Sequence, residues 1–333
     1  MEQYINNAPF FVVVLFLVAG FVFLVKGADI FVEGSSSIAK RFHVPSIIIG
    51  LTIVAMGTSL PETAVSVTAS LANNNTLAVS NVVGSNIFNL MVVIGICAVM
   101  VPVAVSKDTV VRDIPISVAC AILLLVLGIL GFTDASKMTL GHLDGIIFIV
   151  LFACYIFLMI RAALKASKEG KNVEIEGGSD EDIKLLSLPK SIIFIVLGGA
   201  AIAFGGDLTV DSASKIAVDL GMSQTLVGLT IVSIGTSLPE LVTSIVAAKK
   251  NEVDMALGNA VGSNIFNILM VLGIASAISP IGFLTENVID IVVLLVFSLL
   301  VWVFGATKKK INRIEGLSMV ALYAAYAVYI IIR

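Results

Sequence analysis

Gly57-Thr58-Ser59-Leu60-Pro61-Glu62 occurs once in the chain and returns 178 residues later as Gly235-Thr236-Ser237-Leu238-Pro239-Glu240. Gly84-Ser85-Asn86-Ile87-Phe88-Asn89 returns at the same offset as Gly262-Ser263-Asn264-Ile265-Phe266-Asn267. Both pairs belong to one longer duplication. Gly50 to Ile96 aligns with Gly228 to Ile274 without a gap, and 26 of the 47 aligned pairs are identical. Two apolar helices that share only a composition would not agree so often, nor agree best at polar positions. The duplication also reaches upstream, where Asp29 and Glu33 align with Asp207 and Asp211.

The duplication is set in hydrophobic sequence. Of the 333 residues 58% are hydrophobic and 13% charged, and the mean hydropathy is +1.08. Soluble domains carry about 25% charged residues, so the chain reads as a polytopic, all-α membrane protein. The net charge of -3 is small, and nothing resembles a nucleic-acid binder. Cys97, Cys120 and Cys154 lie in apolar runs without metal or redox spacing and read as packing residues. His43 and His142 stand alone and read as loop residues. Phe10–Val25 follows no basic segment and precedes no small-residue cleavage site, so it reads as a retained span.

Apolar runs of membrane-spanning length, about 17–25 residues, number ten. The first five are Phe10–Val25, Val44–Ala72, Leu77–Met100, Ile114–Phe132 and Leu143–Ala163; the second five are Ile192–Gly206, Leu226–Ala248, Met255–Ile278, Val288–Val303 and Gly316–Ile332. With the N-terminus outside, 17 of the 20 Lys and Arg fall on the inner side. That bias supports ten spans with both termini outside. Residues 1–164 then form a first five-helix unit, 165–190 a polar cytoplasmic linker and 191–333 a second unit. Five is odd, so the second unit is inverted relative to the first. Inverted repeats are a common secondary-transporter plan, with the substrate site at the midplane between the units.

Glu62 and Glu240 lie in long apolar segments that contain no Lys or Arg. An ionised carboxylate at that depth costs several kcal/mol unless something neutralises it, and a cation from solution can do so. Thr58 and Glu62 are i and i+4 on one helical face, as are Ser85 and Asn89, Thr236 and Glu240, and Ser263 and Asn267. Ser59 and Ser237 stand one step round. Pro61 and Pro239 cannot donate to the preceding turn, which is expected to free carbonyls near Ala55 and Ser233. A flexible set of six to eight oxygens suits Ca²⁺, and the absence of His and Cys argues against zinc or copper. Two carboxylates are neutralised by one Ca²⁺ or by two Na⁺. Asp29, Glu33, Asp207 and Asp211 are expected near span ends, and Asp180-Glu181-Asp182 in a solvated linker.

At these residues the chain resembles the cation/Ca²⁺ antiporter superfamily, and over all ten spans it resembles a prokaryotic sodium/calcium exchanger. The resemblance implies Ca²⁺/Na⁺ antiport by alternating access, with the first and sixth spans sliding against a core made by the repeats. It implies Glu62 and Glu240 as central ligands, with Thr58, Ser59, Thr236 and Ser237 adding oxygens, Ala55 and Ser233 offering carbonyls, and Ser85, Asn89, Ser263 and Asn267 completing the sodium and calcium sites. Such exchangers commonly carry Asp where this chain has Asn267, which removes one possible negative charge. Proton/Ca²⁺ exchange through the same glutamates is the nearest rival and a passive cation channel a more distant one; the Gly-Thr-Ser before each glutamate favours sodium. No enzyme motif and no cofactor are expected. The expected partners are Ca²⁺ and Na⁺ as substrates and the lipid bilayer of the plasma membrane, around a monomeric chain.

A C-terminal alkaline phosphatase fusion should therefore be active and a C-terminal green fluorescent protein fusion dark in a bacterial host. The opposite pair of signals would show that the number of spans is not even with the N-terminus outside.

Overall fold

The structure is a computed structural model that describes residues 4–5, 7–71, 75–130, 138–169, 185–222, 231 and 233–332. Helix dominates it. The first helix, α1 (Phe10–Phe42), starts after Pro9 and ends at His43, which takes the left-handed conformation at φ 52°. Lys40 and Arg41 in its last turn complement the helix dipole. Then come α2 (Ser46–Thr58) and α3 (Leu60–Leu71), which meet at 48°, followed by α4 (Ala78–Met100) and α5 (Thr109–Leu130). Next are α6 (His142–Glu169) and α7 (Leu188–Asp219). A short turn, α8 (Ser233–Gly235), precedes α9 (Leu238–Lys249), and α10 (Val253–Ile278), α11 (Thr285–Lys308) and α12 (Arg313–Ile332) complete the chain.

Among the described residues, eight helices are long and apolar enough to cross a membrane, and the bent pair α2–α3 makes nine. The expected seventh span, Leu226–Ala248, includes residues 226–230 and 232, which lie outside the described residues; α8 and α9 are its described parts. The helices of the first and sixth expected spans run on past them: α1 has 33 residues and α7 32, and Asp29, Glu33, Asp207 and Asp211 sit inside these helices. Hydropathy falls at Lys26 and at Asp207, but a helix stops only at a cap, a glycine or a proline, and none intervenes with effect. The expected linker is likewise helical at both ends, up to Glu169 and from Leu188; Asp180-Glu181-Asp182 lies outside the described residues.

Close backbone contact joins α1 to α7. Gly20 lies against Gly205, Gly27 against Gly198 and Gly34 against Ser191, so the two helices run antiparallel. A Cβ on Gly27 would stand 2.9 Å from the Ile202 nitrogen and 3.0 Å from the Gly198 oxygen. Small residues are what allow membrane helices to approach this closely. Within α1, Asp29 is held by Lys250 through an ion pair of 2.8 Å.

The centre is occupied by α4 and α10, which are mostly buried, whereas α12 is mostly exposed. Across the halves, α2 packs on α10 at Gly50 and Gly258, where a Cβ on either would lie 2.5 Å from a backbone oxygen of the partner. Two small ladders also join the halves: β1 (Val103–Ala104) pairs with β4 (Lys310–Ile311), and β2 (Thr139–Leu140) with β3 (Ile281–Gly282). Trp302 donates its indole N–H to the Val110 carbonyl at 2.9 Å, and Tyr323 and Tyr326 stack edge-on against Phe88 and Phe297. Cys97 and Cys120 are buried, but Cys154 is exposed, an apolar residue on the outward face of α6 where lipid replaces a protein core.

Gly27→Val should lower the thermal midpoint of the detergent-purified protein, because overpacking of this contact costs about 1–3 kcal/mol. Gly282→Ala, whose added Cβ would meet nothing within 4 Å, should leave the midpoint unchanged. Equal midpoints for all three proteins would show that α1 and α7 are not tightly packed.

Candidate cation site

The two copies of the doubled motif break their helices at the same residue. Ser59 ends α2 with φ -86° and ψ 12°, and Ser237 precedes α9 with φ -94° and ψ 4°. Pro61 and Pro239 then fall in the first turn of the restarted helix, where a missing N–H leaves no bond unmade. Glu62 and Glu240 fall in the same first turns, where the unpaired N–H groups and the helix dipole favour negative charge. Phe31 of α1 packs on Gly57, and Val210 of α7 packs on Gly235.

Both carboxyl groups are fully buried. Glu62 Oε1 accepts from Ser85 Oγ at 3.2 Å, and Ser85 Oγ in turn accepts from Ser237 Oγ at 2.8 Å. Glu240 Oε1 accepts from Ser59 Oγ at 2.8 Å and from Ser263 Oγ at 3.3 Å. Serines of both halves thus line the two carboxyls: Ser59 of the first half reaches Glu240 of the second, and Ser237 of the second reaches the serine that bonds Glu62. The second oxygen of each, Glu62 Oε2 and Glu240 Oε2, is buried with no hydrogen-bond donor among the described residues.

Two asparagines complete the cluster. Asn89 and Asn267 each open a π-helical stretch, Asn89–Val93 in α4 and Asn267–Leu272 in α10, a distortion that recurs at functional sites. Asn89 Nδ2 donates to Asn264 Oδ1 at 3.3 Å, and Asn267 Nδ2 donates to Asn86 Oδ1 at 3.2 Å. Their own oxygens, Asn89 Oδ1 and Asn267 Oδ1, are buried without a donor. Buried polar atoms are nearly always paired. Four oxygens, two of them on acids, are thus buried without a hydrogen-bond donor among the described residues, and oxygen acceptors of this kind are what a hard cation takes.

The remaining expected residues are placed as follows. Thr58 is buried and donates its hydroxyl among Val54 O, Ala55 O and Asn259 Oδ1, at 3.1, 3.4 and 3.0 Å. Thr236 donates to Asn81 Oδ1 at 3.3 Å. The Ala55 carbonyl is not left free, since it accepts the Ser59 N–H at 3.1 Å and lies within reach of the Thr58 hydroxyl at 3.4 Å. Ser233 opens α8, and its side chain lies outside the described residues. Asp29 is held by Lys250.

Sequence reasoning passed over four further asparagines. Asn86 and Asn264 donate to each other's backbone carbonyl, both at 3.1 Å. Asn259 donates to the Glu240 carbonyl at 3.3 Å and to Ser244 Oγ at 3.0 Å, and Asn81 donates to Ser66 Oγ at 3.3 Å. The signal was present: each is identical to its copy in the duplication, as are Ser66 and Ser244.

The profile of a family described as sodium/calcium exchanger protein matches residues 12–161 and 190–332. The sodium/calcium exchanger MaX1 of Methanosarcina acetivorans is 33% identical over 351 residues, covering 94% of this chain and 97% of its own. The inner membrane protein YrbG of Escherichia coli is 33% identical over 297 residues, covering 86% and 87%. Among solved structures, the sodium-calcium exchanger NCX_Mj soaked with 10 mM Na⁺ and zero Ca²⁺ superimposes with a TM-score of 0.79 at 33% identity, over 95% of this chain and 98% of that one.

Proposed function

The chain belongs to the sodium/calcium exchanger protein family, and on that basis we propose that it exchanges Ca²⁺ for Na⁺ across the plasma membrane by alternating access, with Glu62 and Glu240 as the central ligands. Membership of the family and the likeness to NCX_Mj support a cation/Ca²⁺ antiporter. The observation that carries the proposed exchange is the set of four buried acceptors: Glu62 Oε2, Glu240 Oε2, Asn89 Oδ1 and Asn267 Oδ1. Hydroxyls of Thr58, Ser59, Ser85, Thr236, Ser237 and Ser263 and carbonyls at Ala55 and Ser233 complete the ligand supply.

Charge explains the exchange. With both carboxylates ionised the site carries two negative charges, and the apolar segments that bear them contain no Lys or Arg. Enclosing it empty leaves both charges buried, a penalty of several kcal/mol per ion. One Ca²⁺ or two Na⁺ removes that penalty, so the protein changes its facing only when loaded. The α1–α7 pair, bound by its glycines and resting on Gly57 and Gly235, is the unit that slides.

The same reading takes ten spans, with 1–164 and 191–333 as inverted units, 165–190 as the cytoplasmic linker and both termini outside. The reciprocal asparagines 86 and 264 and the two cross-half ladders support a pseudo-twofold relation.

Glu62→Gln and Glu240→Gln should each cut Ca²⁺ uptake about a hundredfold or more, because stripping one partner from a buried charge pair costs about 3–5 kcal/mol. Both variants should keep their thermal midpoint, and normal uptake in either would refute the ligand assignment. Ca²⁺-loaded proteoliposomes should release Ca²⁺ when Na⁺ is added outside and ignore an imposed pH gradient. Release that follows pH and ignores Na⁺ would assign proton exchange instead, and release without any external cation a channel.

A further inference from the structure

The orientation of the four asparagines at the centre follows from one constraint. A backbone carbonyl can only accept a hydrogen bond. Asn264 faces the Asn86 carbonyl and Asn86 faces the Asn264 carbonyl, both at 3.1 Å, so each must turn its Nδ2 toward that carbonyl. The opposite amide orientation would set oxygen against oxygen in a buried site. The Oδ1 atoms of Asn86 and Asn264 are thereby fixed on the other side as acceptors. They meet the amides of Asn267 and Asn89, at 3.2 and 3.3 Å. Those amides must present Nδ2 to them, and Asn267 Nδ2 also reaches Ser85 Oγ at 3.4 Å. What remains of Asn89 and Asn267 to face away is Oδ1, and those are the two amide oxygens without a donor.

We propose that Asn86 and Asn264 are positioning residues that hold the amides of Asn267 and Asn89 so that oxygen, not NH₂, faces the transported cation. The proposal rests on the central site put forward above. It also explains why a neutral amide stands at 267: an ionised carboxylate there would place an oxygen against Asn86 Oδ1. Pairing is crossed between the halves, 86 with 267 and 264 with 89, so each half sets a ligand of the other.

Ca²⁺ half-saturation, measured as uptake into proteoliposomes and as Ca²⁺-dependent thermal shift in detergent, tests this. Asn86→Ala frees Asn267 to turn its NH₂ toward the ion and should raise half-saturation about tenfold, the scale of reversing one buried polar contact, with maximal rate less affected. A carboxylate offers oxygen in either orientation. Asn267→Asp should therefore recover at least about half of the lost affinity on a logarithmic scale in the Asn86→Ala protein, yet add no Ca²⁺ affinity to the wild type. Asn89→Asp should rescue Asn264→Ala and fail to rescue Asn86→Ala. Asn86→Ser and Asn264→Ser give the same comparison if either alanine variant fails to fold.

Unchanged half-saturation in the single variants, or rescue by either aspartate regardless of pairing, would overturn the orienting role. Absence of rescue by the paired aspartate in a folded protein would also overturn it, leaving the asparagines as packing groups. Failure of the underlying site reading is separate, because it would appear as a wild-type protein with no Ca²⁺-dependent thermal shift.

Discussion

Two acids buried together without a basic partner impose the constraint on which the rest of the structure depends. Glu62 and Glu240 are fully enclosed, and serine hydroxyls bond both of them: Ser85 donates to Glu62, and Ser59 and Ser263 donate to Glu240. In water such a pair would be hydrated; within a membrane protein the charge must be neutralised by something that arrives. Placing each acid in the first turn of a restarted helix offsets part of the burial penalty with backbone N–H groups. The residual negative charge is what the proposed transport cycle works with.

The breaks at Ser59 and Ser237 provide that placement, and they depend on packing elsewhere. A broken helix is tolerated at membrane depth only when its loose backbone is covered by protein or opens on a cavity. Here α1 and α7 cover the two breaks through Phe31 and Val210, and α4 and α10 carry the serines and asparagines that fill the space between. The two π-helical stretches begin at Asn89 and Asn267, the residues whose amide oxygens are left without a donor among the described residues. Hydrogen-bond polarity then runs from backbone carbonyls outward to the candidate ligands, with each half of the chain steering groups of the other.

Much of this could be read from the residues alone. The duplication named both acids and the serines and asparagines now found in one buried cluster, because polar identity inside apolar sequence has few causes other than a shared site. The helices α1 and α7 run past the apolar runs Phe10–Val25 and Ile192–Gly206, since apolar content marks where lipid begins and not where hydrogen bonding stops. The Ala55 carbonyl was expected to be free from the position of Pro61, but the break falls two residues before that proline, and the Ser59 N–H still bonds Ala55. Asn86, Asn264, Asn81 and Asn259 were as visible as the residues chosen, yet an isolated motif does not say which amide faces a ligand and which faces another amide.

The sequence by itself determined a helical membrane protein built on a duplicated unit, with one acid and no basic residue in each of the apolar segments Val44–Ala72 and Leu226–Ala248, because composition and repetition are properties of the chain. Only the tertiary structure decided that Ser59 of the first copy bonds Glu240 of the second and Ser237 of the second bonds Ser85 of the first, that α1 and α7 lie in antiparallel glycine contact, and that the asparagine oxygens at 89 and 267 are left over. Those outcomes depend on which donor meets which acceptor across some 178 residues of chain, and hydrogen-bond direction is settled by contact in space.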